Sequence, residues 1–405
     1  MDTIKTQCCI AGGGPAGMVL GLLLARAGVD VTVLEKHADF LRDFRGDTIH
    51  PSTLEIMHEL GILDEFLKLP HQAVPRLRGQ VGDLAVTIAD FAHLPTRCKF
   101  IAMMPQWDFL DFLARQGKRY PGFRLMMRTK AKRLVERGGK IAGVVAETDA
   151  GKLRIDADLV VGADGRHSTI RDAAGLQVED LGAPMDVLWF RLSKRPDDPE
   201  ASMGRFDAGR IFVLINRGGH WQCGYVIAKG SIAKVHAAGL PAFRADVARL
   251  VPFAADRTGE IAGWDDVKLL TVGVSRLKSW HKPGVLCIGD AAHTMSPVGG
   301  VGINLAIQDA VATANLLWRS LKEEKLEESD LAAVQRRRDF PTRVTQRMQL
   351  AVQNRIISQV LSGTAAIRPP LALRLMARIP FLTRVPARLI GYGVRPEHVL
   401  SPSAF

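Results

Sequence analysis

Three glycine–aspartate signatures recur along the chain, and each follows an apolar, strand-like run. Gly12-x-Gly14-x-x-Gly17 comes first, with Glu35 downstream, and Gly162-Ala163-Asp164-Gly165 comes second. The third is Gly289-Asp290-Ala291-Ala292-His293, running into Pro297-x-x-Gly300-x-Gly302. A glycine turn between a buried strand and a helix is the form that dinucleotide phosphates require. Three such points spread over most of 405 residues predict one extended ligand laid across segments distant in sequence.

The first signature sits in a βαβ unit. Residues 7–11 form an apolar run suited to a strand buried on both faces. Residues 15–27 carry Met18, Val19, Leu22, Leu23 and Ala27 at helical spacing, Gly28 closes the helix, and residues 31–34 form the next strand. Gly12 permits the tight turn, Gly14 lets the backbone approach a pyrophosphate, and Gly17 lets the helix pack closely on the strand. The helix N-terminus, around Pro15 and Ala16, presents free N–H groups to the phosphates. Glu35 and Lys36 end the second strand, where the carboxylate can accept hydrogen bonds from a ribose and would repel an additional 2′-phosphate. The competing reading is a glycine-rich turn with no ligand.

The other two signatures lie on similar elements. Residues 158–162 are a β run that delivers Asp164-Gly165, and residues 285–288 are a buried strand ending at Gly289-Asp290. Carboxylates at strand ends suit the polyol hydroxyls of a flavin, so the ligand reads as FAD. A helix begins near Gly302 and carries Ile303, Ala306, Ile307, Ala310, Val311, Ala314 and Leu317. Its N-terminal partial charge would stabilise an anionic reduced flavin ring. Taken singly, Asp290 reads equally as a helix cap and Asp164 as a turn residue.

Composition narrows the remaining classes. With 47% hydrophobic and 24% charged residues, the chain is an ordinary globular one, long enough for two interleaved domains. The longest apolar runs are too short to span a bilayer, and no leader-like segment opens the chain, so a cytoplasmic location is expected. The five cysteines (Cys8, Cys9, Cys98, Cys223 and Cys287) show no CxxC spacing and suggest neither metal nor disulfide. The net charge of +12 calls for an anionic partner or a basic surface. No basic stripe interleaved with aromatics is present, which argues against nucleic acid. Dinucleotide phosphates, anionic substrates and a membrane surface remain.

With these motifs in place, the sequence resembles the single-component FAD-dependent aromatic hydroxylases, the para-hydroxybenzoate hydroxylase-like flavoprotein monooxygenases. The resemblance rests on GGGPAG at 12–17, GADGRHSTIR at 162–171 and GDAAHTMSPVGGVGIN at 289–304. It implies that Arg45, in FRGDTIHPSTLEIMHELGIL, and Gln106, in MPQWDFLDFLA, contact the FAD. It also implies that Asp290 binds the ribityl chain and that Pro297 lies near the reacting face. Gly300, Val301, Gly302, Ile303 and Asn304 would border the pyrimidine side of the ring; Val301 stands where many members have glutamine. The implied fold is α/β: a Rossmann-like FAD-binding domain (GR2 type) interleaved with an antiparallel-sheet substrate domain and followed by a helical C-terminal region. Residues 1–70, 98–179 and 276–360 form the first, 71–97 and 180–275 the second, and 361–405 the last.

The family chemistry implied is reduction of FAD by NADPH or NADH, capture of O2 as a flavin C4a-hydroperoxide, and hydroxylation of an apolar, aromatic or polyketide-like small molecule. Only one GxGxxG occurs, so the nicotinamide cofactor would visit transiently beside the second motif. Arg166 and Arg171 are candidates for its phosphates, or else ion-paired helix residues. No catalytic base is assigned. Pro297 and, on or beside the strand-like runs 210–216 and 221–227 flanking a Gly218-Gly219 turn, Arg210, His220 and Tyr225 are the candidates. A strand tyrosine is equally a core residue, and His293, inside the third motif, reads as structural.

Residues 331–361 suggest a long helix broken or kinked near Pro341. In 368–392, Arg374/Arg378 and Arg384/Arg388 are each spaced by four among apolar residues. That pattern places each pair on one helix face, against the protein's own core, a sister subunit or, weakly, a membrane surface. A monomer or homodimer is expected, peripheral to the membrane in the last case. The alternatives are a geranylgeranyl-reductase-like FAD reductase of a lipophilic substrate and a non-catalytic FAD-binding protein. A flavin-dependent halogenase fits less well, because no GWxWxIP stretch is present.

Overall fold

Strand Asp2–Ala11 is the axis of the larger sheet. It pairs in parallel with Gly151–Gly162 on one side and Val31–Leu34 on the other. Phe123–Met126 and Val285–Cys287 extend the parallel array at its two sides. Cys8, Cys9, Ile10, Val160, Val161, Val285 and Leu286 are fully buried, as expected of strands covered on both faces. All three signatures therefore leave the carboxyl ends of neighbouring parallel strands, the edge at which open α/β sheets bind ligands. The computed structural model describes residues 1–41, 48–207, 209–357, 360–361 and 369–404.

The long strand Gly151–Gly162 serves two partners in succession. Its first half also pairs antiparallel with Lys140–Thr148, and its last residues pair with Val285–Cys287. The helix after the first signature, Pro15–Arg26, packs on the helix after the third, Gly302–Lys322.

A second, seven-stranded sheet runs in the order Lys268–Leu270, Met185–Ser193, His220–Ala228, Arg210–Asn216, Met203–Asp207, Arg76–Val81, Leu84–Asp90. Its pairings are antiparallel except between Met203–Asp207 and Arg76–Val81. One face is sealed by helix Leu240–Leu250: Phe190, Phe212, Trp221, Cys223 and Tyr225 cluster there with Phe243, Val247 and Leu250. The other face looks toward the larger sheet across a cavity.

One expectation is corrected near the end of the chain. The helix Glu328–Val352 continues through Pro341 and gives way only at the π-helical turn Gln353–Ile357. A proline inside a helix costs about 3 kcal/mol. Here Pro341 and Thr342 are buried, Thr345 Oγ1 donates to the Pro341 carbonyl one turn back at 2.8 Å, and the helix is not broken. Beyond it, Leu371–Arg378 and Arg384–Ala387 lie against Leu84–Asp90, the edge strand of the second sheet, which blunts an otherwise open edge. All five cysteines are free and buried. Among the described residues, no helix is long and apolar enough to cross a membrane.

Candidate active site

A cavity of about 1590 Å³ begins at the motif turns of the parallel sheet and ends against the inner face of the antiparallel one. At its first end the three glycines of the opening signature do different work. A β-carbon on Gly12, where φ is +111°, would stand 2.3 Å from the Ala163 carbonyl oxygen, and one on Gly17 would stand 1.9 Å from the Gly12 oxygen. Both positions are closed to any side chain. A β-carbon on Gly14 would meet nothing within 4 Å, because this residue faces the cavity just before helix Pro15–Arg26 begins. The turn thus leaves room for a phosphate in front of a helix N-terminus.

Glu35 closes the same corner. Its carboxylate accepts the backbone N–H of Gly13 at 3.1 Å and that of His37 at 3.0 Å, which fixes its direction at the edge of the cavity. The second signature docks directly on the first, since Ala163 N–H donates to the Ala11 carbonyl at 2.8 Å. Asp164 lines the cavity, but its carboxylate is drawn to the following helix: it accepts from Ser168 Oγ and from the Ile170 N–H. Burial raises its pKa above the ordinary aspartate value, against the pull of these donors.

The third signature is wedged between the two helix starts. A β-carbon on Gly289 would lie 3.1 Å from Ala306 Cβ and 3.3 Å from Ala16 Cβ. Asp290, half-buried, faces the cavity, and so do Pro297, Gly300, Gly302 and Ile303. Gly300 is pinned by Thr48, whose hydroxyl donates to the Gly300 carbonyl at 2.9 Å. Asn304 completes this clamp. Its Oδ1 accepts from His50 N–H and Thr53 Oγ1, both at 2.8 Å, and its Nδ2 donates to the Thr48 carbonyl at 3.0 Å. The Asn304 side chain is therefore occupied in holding the loop.

The structure brings Gly12, Gly14, Pro15, Ala16, Glu35, Lys36, Gln106, Asp164, Gly165, Arg166, Asp290, Pro297, Gly300, Gly302 and Ile303 to one cavity. Gly17, Gly289, Val301 and Asn304 sit behind it, in supporting positions. Arg45 lies outside the described residues. Of the two arginines considered for a nicotinamide phosphate, Arg166 lines the cavity and is exposed. Arg171 is buried, engaged with Asp172 at 3.0 Å and with the Arg166 carbonyl at 3.0 Å, which is the ion-paired alternative.

Two of the three catalytic candidates on the second sheet, Arg210 and Tyr225, fall on the face turned away from the cavity. Side chains alternate across a strand, and Met185, Val187, Trp189, Ile211, Val213, Gln222 and Val226 face the cavity. Tyr225 points the other way; its hydroxyl lies 3.4 Å from Asp246, which also binds Arg210 at 2.8 Å. Burial, reinforced by Asp246, raises the Tyr225 phenol above its usual pKa. His220 stands at the strand end, paired with Ser193 and outside the cavity lining. Pro297 alone of the four candidates faces the cavity.

Three supporting residues carried no local signal in the sequence. His293 Nε2 meets Asp309 Oδ2 at 2.6 Å, the same oxygen accepts Gly289 N–H at 3.1 Å, and Arg338 Nε donates to Asp309 Oδ1 at 2.9 Å. Arg338 also reaches Glu397 at 3.2 Å. Burial alone would push the Asp309 carboxyl up, but His293 and Arg338 hold it below its usual value. Gln349, on the helix that passes Pro341, bridges the Ser296 N–H and carbonyl and the Val298 carbonyl at 2.9–3.1 Å, securing the Pro297 turn from behind. Asp309, Arg338 and Gln349 lie on helices where only their tertiary partners distinguish them from ordinary surface polar residues.

The family described as FAD binding domain matches residues 5–348. Over 402 residues the chain is 33% identical to 6-methylpretetramide 4-monooxygenase of Streptomyces rimosus, covering 99% of this chain and 95% of that one. Among solved structures, p-nitrophenol 4-monooxygenase from Pseudomonas putida DLL-E4 matches with a TM-score of 0.78 at 20% identity, over 97% of this chain and 100% of that one. Anhydrotetracycline hydroxylase from Streptomyces rimosus matches with a TM-score of 0.74 at 21% identity, over 96% and 76%. At those identities the two structures bear on the fold.

Proposed function

The chain belongs to the FAD-binding flavoprotein monooxygenases, and on that premise we propose that it uses NADPH or NADH and O2 to hydroxylate an apolar, aromatic or polyketide-like small molecule held against the antiparallel sheet. The observation that carries this reading is the continuity of one cavity from the motif glycines to that sheet. A single small-molecule pocket occupies about 300–1,000 Å³; at about 1590 Å³ this one accommodates a dinucleotide and a substrate together. The name of the Streptomyces relative, which specifies 6-methylpretetramide, supports the substrate class.

The residues divide the work along the cavity. Gly14 and the N-terminus of Pro15–Arg26 hold the phosphates, Glu35 accepts from a ribose, and Asp290 accepts from the polyol chain. Gly300, Gly302 and Ile303 border the ring, where the N-terminus of Gly302–Lys322 favours negative charge. Arg166 receives the phosphates of the visiting nicotinamide. When bound, the flavin supplies hydride acceptance and oxygen activation, which no side chain offers. Met185, Val187, Trp189, Ile211, Val213 and Val226 exclude water from the reacting atoms and orient the substrate by shape. Among its described residues, this sheet presents no carboxylate or histidine to the cavity, whose carboxylates and histidines come from the motif side; a substrate carbon that is electron-rich on its own account suits that wall.

The test is stopped-flow absorbance of the FAD-loaded protein, mixed anaerobically with NADPH or NADH and then with isotopically labelled O2, across a panel of aromatic and polyketide compounds. Ligand-accelerated bleaching followed by product carrying one labelled oxygen is the expected outcome. Reduction of the flavin with saturation of a substrate double bond and no labelled product would replace this reading with the reductase one.

A further inference from the structure

We propose that the outer face of Leu371–Arg388 docks on an anionic lipid surface, setting the part of the cavity wall that this segment forms against the bilayer. The segment has two faces. Inward, Leu373, Met376, Pro386 and Ile390 form part of the cavity wall. Outward, Leu371, Leu375, Ile379, Phe381 and Val385 are 70%, 41%, 45%, 62% and 60% exposed. Five large apolar side chains on a short stretch are more than the scattered singles of an ordinary surface, and such patches mark contact sites.

The charge around that patch selects the partner. Arg374, Arg378, Arg384 and Arg388 are exposed among these apolar side chains. From residue 340 to residue 396 the sequence contains nine arginines and no aspartate or glutamate. The helix Leu371–Arg378 places Arg374, Leu375 and Arg378 on one side at spacings of one turn. Arg384 lies over the Phe381 ring at 4.7 Å, so cation and aromatic ring share one location, as at a headgroup boundary. Amphipathic basic segments bind there, their apolar side chains entering the acyl margin while their cations meet acidic headgroups.

Other occupants fit less well. A second copy related by a two-fold axis would bring like charge onto like charge. A nucleic acid would meet the arginines but leave Leu371, Leu375 and Val385 without an apolar partner. Docking itself is independent of the monooxygenase reading; only the identity of a lipophilic substrate entering from the bilayer rests on it.

The experiment is sedimentation of the full-length, FAD-loaded protein with vesicles of phosphatidylcholine alone or of an equal mixture with phosphatidylglycerol. Two variants accompany it: Arg374→Glu/Arg378→Glu/Arg384→Glu/Arg388→Glu, and Leu375→Ser/Phe381→Ser. Wild type should sediment with the anionic vesicles, and added salt should weaken it. The charge-reversed variant should lose roughly a hundredfold or more in affinity; the serine variant should lose affinity even at low salt. Both should keep the wild-type melting temperature and flavin spectrum, because these side chains face outward. Equal binding to neutral and anionic vesicles, or none to either, overturns the proposal. So does sedimentation equilibrium showing a wild-type dimer that Leu375→Ser/Phe381→Ser dissociates, which would make the patch a self-association surface.

Discussion

Trp189 lies against Gly224, its cross-strand partner, so closely that a β-carbon on the glycine would stand 3.0 Å from the indole ring. Trp189 is thereby held as a flat panel on the cavity wall, beside Val187 and Val226. Gly224→Val should push the ring into the space proposed for the substrate. We expect kcat/KM to fall about tenfold or more, from overpacking of about 1–3 kcal/mol, while FAD affinity stays at its wild-type value. Flavin fluorescence titration beside steady-state kinetics separates the two; a matching loss of FAD affinity would place Trp189 in the cofactor half instead.

Gly300 combines a φ of +62° with a β-carbon position 2.6 Å from Thr48 Oγ1. Gly300→Ala should cost about 1–3 kcal/mol and loosen FAD, because the same turn borders the proposed ring site. In a Thr48→Ala background the steric part of that loss should disappear and the backbone strain remain. Equal FAD affinity in wild type and Gly300→Ala would remove this turn from the cofactor site.

His50 is fully buried, and burial lowers its pKa from 6.5 to about 4. Its Nδ1–H donates to the Ile390 carbonyl at 2.7 Å; that contact favours the protonated ring, but burial outweighs it and the neutral ring is the one that fits. Between about pH 6.5 and 4 the unfolded chain takes up a proton at this residue that the folded chain refuses, so stability falls as pH falls through that window. A shift of that size corresponds to an upper bound of about 3 kcal/mol. His50→Asn keeps a donor for Ile390 and removes the titration. Denaturant midpoints measured from pH 7 to pH 4 should decline less for this variant than for wild type; parallel declines would count against the assignment.

Asp309 gathers His293, Arg338 and the Gly289 N–H on one carboxylate, fully out of water. Removing one partner of such a buried cluster typically costs about 3–5 kcal/mol. Asp309→Asn should unfold at correspondingly lower urea and hold FAD less tightly, since Gly289 precedes Asp290. A change of stability within about 0.5 kcal/mol would reduce the cluster to a passive arrangement.

The parts of this molecule that were legible in its sequence are those whose signal is local. Gly12, Gly14 and Gly17 announce a turn within six residues, and strands 187–192, 210–216 and 221–227 stand out by β-branched and aromatic content. The facing of those strands was not legible. Both sides of the sheet are apolar, one against helix Leu240–Leu250 and one against the cavity, so the polar–apolar alternation that distinguishes Tyr225 from Val226 is missing. Asn304 shows the same limit: the motif placed it at the ring, whereas its amide is held by Thr48, His50 and Thr53, some 250 residues away in sequence. Pro341 predicts a break by its local cost, whereas the helix Glu328–Val352 runs through it.

The wide spacing of the cavity's walls also bears on biosynthesis. Gly14 and Asp290 lie on adjoining motifs, yet the ribosome makes them on the order of 15 seconds to a minute apart, at about 5–20 residues per second. Until the strand Val285–Cys287 has emerged and joined the sheet, the nascent protein has only part of the proposed cradle. A flavin that needs all three motifs at once can then be loaded only after that strand is made, and vitamin supply acts on the chain from that point onward.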